Sequence, residues 1–256
     1  MSFPPLQIRD LLVVMACLIV AFGGTSRAAG EEKSTDRVCK EIQRTGPHTY
    51  KVGAVNIDAK ARTIRCPGRI NMNRGGPIEL LACTEKGKLH ETILILEVEP
   101  LHLQLALLLL DLNMGRNPAV EYPEGSSERR RDPADTVAIS VRWEKNGEED
   151  VDAEVVERPA HELLYNVKKE RPMQPARWAF IGSRQVRGRF GAKMTGSLVV
   201  TYHDPLGILE LALEEVNSDI WYEANAKTVP EVGTKVEMII RADTEDAGEE
   251  EDADEE

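Results

Sequence analysis

The sequence predicts an α+β domain: a strand-rich mixed or antiparallel sheet with two or three packing helices. Three observations predict it. Val55–Asp58, Arg62–Cys66 and Thr136–Trp143 alternate apolar and polar residues, the period of a half-buried strand. Thr92–Val98 (TILILEV) is almost continuously apolar, as a strand covered on both faces would be. Strands and helices follow no regular alternation, which argues for an α+β domain.

Taken in order, Val55–Asp58 and Arg62–Cys66 form an antiparallel hairpin across Ala59-Lys60-Ala61, with Val55, Ile57, Ile64 and Cys66 inward. Pro67-Gly68 ends it, and Arg74-Gly75-Gly76-Pro77 makes the next loop. Ile78–Cys83 is a strand, and Thr84–Lys88 a hairpin turn before Thr92–Val98. Pro100 opens a helix that runs to about Asn113, with Gly115 as its stop. That helix is apolar nearly all round, so it is buried. Asn117–Asp135 holds three prolines and the run Arg129-Arg130-Arg131, the composition of a surface loop or linker. The arginines could bind an anion, but Glu128 and Asp132 flank them, and a solvated charge run is the simpler reading.

The second half is strand-rich. Thr136–Trp143 turns at Asn146-Gly147 into Val151–Val156. Pro159–Val167 is a short helix or turn. Trp178–Ile181 and Ser197–Tyr202 are strands, Leu206–Leu213 is a strand or short helix, and Val236–Ile240 closes the body.

The ends differ in kind from this body. Leu11–Phe22 is an uncharged apolar run, short for a bilayer span of about 20 residues. Ser26 and Ala28 suit the small-residue positions of a signal-peptidase site, so residues 1–28 read as a signal peptide cut after Ala28. An uncleaved membrane anchor is the alternative. Residues 29–49 are a charged lead, 50–241 the globular domain with a loop near 116–135, and 242–256 a disordered acidic tail. The tail holds ten acids and no base, which accounts for most of the formal net charge of −12. The nearly neutral body has no basic excess for nucleic acid. No EF-hand spacing occurs in the tail.

The motifs exclude more chemistry than they suggest. Cys39, Cys66 and Cys83 are spaced C-x26-C-x16-C, whereas iron–sulfur and structural zinc sites use closely spaced pairs. No cofactor is therefore expected. In a simple hairpin across Pro67–Pro77, Cys66 and Cys83 would lie about 17 Å apart, beyond disulfide reach. They read as buried free thiols, and a bridge from Cys39 stays open. His90-Glu91 offers a base or metal ligand beside a carboxylate, but Leu94 stands where H-E-x-x-H needs histidine. His161-Glu162 fails the same test at Tyr165, and His102 reads as a packed, hydrogen-bonded residue on the helix. Gly182-Ser183-Arg184 lacks the G-x-S-x-G elbow, and Arg187–Lys193 lacks the P-loop pattern. No catalytic residue is assigned. His90, Glu91, Arg184, Asn217, Asp219 and Tyr222 are candidate ligand contacts, with Cys83, His90 and Glu91 as an alternative metal set that His102 or His203 would have to complete.

Four blocks resemble a known family: Ile64–Cys83, Lys88–Leu110 with His90-Glu91-Thr92, Trp178–Arg184 (WAFIGSR), and Ser197–Pro230 with Asn217-Ser218-Asp219 and Tyr222–Asn225. Together they resemble the YdjY domain. The resemblance implies an exported bacterial protein, in the periplasm or cell envelope, in a family without an established activity. Some members carry a ferredoxin-like label, from which the cysteine spacing here departs. The expected role is a non-catalytic module for an envelope component or small ligand, with a metal- or redox-site protein as the alternative. Membrane contact is expected only through the N-terminal segment, if uncleaved.

Overall fold

The computed structural model describes residues 41–145 and 154–243. The N-terminal apolar segment, Cys39, the Asn146-Gly147 turn and the tail beyond Asp243 lie outside the described residues.

In chain order the strands are β1 (Ile42–Arg44), β2 (Thr49–Val52), β3 (Val55–Asp58), β4 (Thr63–Ile70), β5 (Leu80–Cys83), β6 (Thr92–Leu96), β7 (Thr136–Lys145), β8 (Glu154–Pro159), β9 (Leu164–Asn166), β10 (Arg171–Pro172), β11 (Trp178–Phe180), β12 (Gln185–Val186), β13 (Arg189–Phe190), β14 (Ser197–Val200), β15 (Leu209–Leu211), β16 (Tyr222–Ala224) and β17 (Lys235–Ala242). Among the described residues there are two α-helices, α1 (Pro100–Leu109) and α2 (Gly191–Thr195).

The α+β expectation is overturned. Strands β4-β17-β7-β11-β15-β14-β5-β6 are hydrogen-bonded in that order, and β6 also pairs with β4, so eight strands close into a barrel. Closure pairs the barrel strands on both sides, which leaves β1 and β8 as the edges of the sheet. Strands β1, β2 and β3 extend the sheet from β4, and β8 extends it from β7. Small sheets β10-β9-β16 and β12-β13 lie outside this path. Strand β1 falls within the segment expected as a charged lead.

The barrel rests on alternation. Ile64 and Cys66 of β4, Val236, Met238 and Ile240 of β17, and Val137, Ile139, Val141 and Trp143 of β7 are buried in one cluster with Trp178 and Phe180. Side chains of this cluster fill the interior, one of the two arrangements open to a barrel of eight strands, the other being a small ligand cavity. Each fully buried Ile or Val contributes roughly 1.5–3 kcal/mol. The opposite face of these strands carries Arg65, Arg241 and Glu237. There Arg65 Nη1 meets Glu237 Oε2 at 2.7 Å, and Arg241 Nη2 meets Glu157 Oε1 of β8 at 2.7 Å.

The expected hairpin is present as β3 and β4, with Val55, Ile57, Ile64 and Cys66 all buried. Pro67-Gly68 does not end it. Strand β4 continues to Ile70 and changes neighbour there, from β3 at Thr63–Arg65 to β6 at Gly68–Ile70. A proline that donates no hydrogen bond is tolerated at such a changeover. Gly68 is required beside it, because a Cβ there would sit 2.4 Å from the Ile95 carbonyl oxygen.

Strands β5 and β6 run parallel, not as the expected hairpin. Segment 84–91 therefore returns the chain to the start of β5, where Glu79 N donates to Glu91 O at 3.1 Å. The geometry assumed for Cys66 and Cys83 fails with it, since β6 lies between β4 and β5. Both cysteines are free and buried.

Helix α1 begins at Pro100 as expected but stops earlier. Asp111 adopts φ +60°, with Asp111 N bonded to Leu108 O (3.0 Å) and Leu112 N to Leu107 O (3.3 Å). This left-handed cap satisfies the last carbonyls, so Gly115 is not the stop. The leucines of α1 merge with the barrel cluster, and Gln104 Oε1 accepts from Ser183 N at 2.8 Å.

Candidate functional site

The most developed polar group lies on the outer face of β15. Glu210 stands between Leu209 and Leu211, so alternation sends its side chain away from the apolar interior. Its side chain is 0% exposed. A carboxylate in that position requires partners. It has two: His203 Nδ1 lies 2.6 Å from Oε2, and Asn117 Nδ2 donates to Oε1 at 3.0 Å.

Each partner comes from a loop fixed by its own turn chemistry. Asn117 opens the proline-rich segment and is pinned at both ends of its amide. Nδ2 also donates to Leu211 O (2.7 Å), and Oδ1 accepts from Ala119 N (3.0 Å). The segment expected as a surface loop or linker thus covers β15. Residues 201–208 connect the parallel strands β14 and β15, which forces a tight return. Asp204 caps it, with Oδ1 accepting from Leu206 N at 2.8 Å, and His203 N donates to Val216 O at 2.9 Å. Tyr122 meets the His203 ring edge-on, with centroids 5.8 Å apart, and its hydroxyl accepts from Asn117 N at 3.2 Å.

The electrostatics follow. The hydrogen bond to Glu210 raises the His203 imidazole above its usual value, outweighing burial, while Arg184 opposes the rise. Arg184 is paired through Nη1 with Glu128 Oε1, and Nε donates to Pro205 O at 3.4 Å. Burial pushes the Glu128 carboxyl up. Its backbone hydrogen bond and the Arg184 charge outweigh that and leave it below the ordinary range.

Two of the sequence-derived candidates sit at this group. Arg184 lies near enough for its charge to act on His203. Asn217 joins the group through Nδ2, which donates to Ala119 O at 2.8 Å. The others lie elsewhere. His90 is on the 3-10 turn Leu89–Glu91 with a 77% exposed side chain, its Nε2 3.5 Å from Glu91 Oε1. Asp219 is exposed, and Tyr222 is buried on β16 opposite Asn166, where burial and then Glu215 raise its hydroxyl. Cys83 is buried, and burial raises its thiol. Among the described residues no group of three His, Cys, Asp or Glu side chains converges to hold a metal. His102 is hydrogen-bonded to Glu41 through Nε2 at 2.6 Å. The Ser183 hydroxyl donates to Leu206 O (2.7 Å) and accepts from Ala192 N (2.8 Å).

Sequence reasoning missed Glu210, Asn117 and Tyr122, and named His203 only as a distant completing ligand. A signal existed for Glu210. It is the one carboxylate inside the run Ile208–Leu213.

The fold and site define a closed eight-stranded barrel whose outer wall carries a buried carboxylate paired with a partly exposed imidazole. A family model described as the YdjY domain matches residues 55–241, and the chain belongs to that family. No curated protein and no solved structure matches it.

Proposed function

We propose that this YdjY-domain protein is exported and acts as a non-catalytic binding module for an envelope component or small ligand. Export is supported by the Leu11–Phe22 run followed by Ser26 and Ala28. The observation that carries the binding role is how the reactive groups are engaged. The Ser183 hydroxyl is held by two backbone partners, and the Cys66 and Cys83 thiols are buried. Burial, with Glu237 adding, pushes the Cys66 thiol up to about 12, which leaves it protonated and unreactive. The interior is filled by side chains, so a ligand would be met on the outside.

Cell fractionation with N-terminal sequencing tests this. The mature chain should be found outside the cytoplasm and begin at Ala29. A soluble cytoplasmic chain retaining Leu11–Phe22 would contradict export, and a membrane-bound chain retaining it would replace cleavage by an anchor.

A further inference from the structure

Three basic features are linked through Arg184, whose charge acts on His203 and which pairs with Glu128 at the head of the arginine run. His203 and Arg184 belong to ion pairs with the same polarity. Their carboxylates are the buried members, with Glu210 at 0% and Glu128 at 15% side-chain exposure. The cations are the exposed members, at 28% and 40%. Each pair therefore turns its positive end to solvent. The third feature is the Arg129–Arg131 run. Glu128, the partner of Arg184, opens the 3-10 turn Glu128–Arg130, and the Arg131 charge acts on its carboxyl. Arg129, Arg130 and Arg131 are exposed, and among the described residues no carboxylate lies within ion-pair distance of them. Arg116 adds a further cation, its Nε donating to Arg131 O at 3.1 Å.

We propose that His203, Arg184 and the Arg129–Arg131 run form a binding surface for a phosphate-bearing ligand. Arginine forks suit phosphate oxygens, and charge-assisted hydrogen bonds are the stronger kind. Several separate cations fit a multiply charged group better than a single carboxylate. Charge complementarity argues for such an occupant, although the chain as a whole is acidic. The groups facing His203 are Glu210 on β15, Asp204 on its own loop, Arg184 and the Tyr122 ring. Glu128, paired with Arg184, and Asp132 flank the arginine run and limit its excess charge. His203 contributes a cation only when protonated, so affinity rises as pH falls.

The proposal rests on the binding-module reading, and its test separates the two. Inorganic phosphate is titrated into the purified chain at constant ionic strength, following arginine Nε and His203 ring resonances. Sulfate, whose charge is constant in this range, carries the pH comparison. Saturable shifts are expected near pH 6, about tenfold weaker near pH 8.5 and in Arg184→Gln, as for the loss of one charge-assisted contact. Arg130→Gln, at an exposed side chain with one long contact to Gly125 O (3.5 Å), should fold normally and bind severalfold more weakly. No saturable shift, or shifts unchanged in both variants, would overturn the proposal. An exported chain that ignores phosphate defeats this inference alone. A cytoplasmic chain that binds phosphate defeats export and leaves the surface standing.

Discussion

Replacing His203 by alanine is expected to be among the most damaging single changes on the outer wall. Glu210 is fully buried and 2.6 Å from the ring nitrogen. At an effective dielectric near 20, unit charges at that separation attract by roughly 6 kcal/mol before the opposing desolvation of both groups. Removing only the cation leaves that desolvation in place, with Asn117 as the remaining side-chain donor. The expected cost is about 3–5 kcal/mol. Glu210→Gln leaves only the less buried His203 without its partner, and that ring can release its proton, so it should cost only about 1–3 kcal/mol. The double variant should be less destabilised than the two single costs added together, by about 1–3 kcal/mol. Urea unfolding at about pH 6, where the imidazole is charged, measures all three. If His203→Ala stays within about 1 kcal/mol of the parent, Glu210 does not depend on its partner and the reasoning fails.

Gly68→Ala should lower the unfolding midpoint, because its Cβ would meet the Ile95 carbonyl and the Leu96 backbone at the β4–β6 seam. Overpacking of this kind costs about 1–3 kcal/mol, and thermal melts would show it. Stability should also depend on pH at both ends. His203 is raised in the folded state, so its contribution is complete below the ordinary histidine value and fades as pH rises through the folded one. For Glu157, burial acts upward, but hydrogen bonds from Ser140 and Arg241 outweigh it and leave the carboxyl lowered. Its contribution holds above the ordinary carboxylate value and is lost as pH falls through the folded one. Urea midpoints across pH check both signs. Cys66 and Cys83 should resist iodoacetamide in the folded chain and react fully in guanidinium, as read by peptide mass mapping. Deleting residues 244–256 should leave the midpoint unchanged. A deletion that starts at Ala242 should lower it, because Ala242 is buried on β17 and Asp243 pairs with Arg177 at 2.7 Å.

What could be read from the sequence was local. Val55, Ile57, Ile64 and Cys66 alternate within one hairpin, and Pro100 marks a helix start by its own geometry. Barrel closure was not legible, because it depends on β4 meeting β6 across an intervening strand and loop. The same strand pattern serves an open sheet covered by helices and a barrel filled by side chains. Pro67-Gly68 has the composition of a terminator and instead marks a change of neighbour. Asp111 caps α1 because a left-handed turn can be held by a non-glycine residue when both cap bonds form. The site was only partly legible for the same reason. Arg184 and Asn217 stood out as polar residues in turns. The bond from Glu210 to Asn117 spans 93 positions, and no local pattern records it.

Eight strands close into a barrel through the pairing of β4 with β6. Nuclear Overhauser contacts across β4 and β6 test it most directly. Contacts are expected for the partner positions Gly68 with Leu96, Arg69 with Ile95, and Ile70 with Leu94. Their absence, with β5 and β6 still paired, would mean an open sheet and would contradict the account.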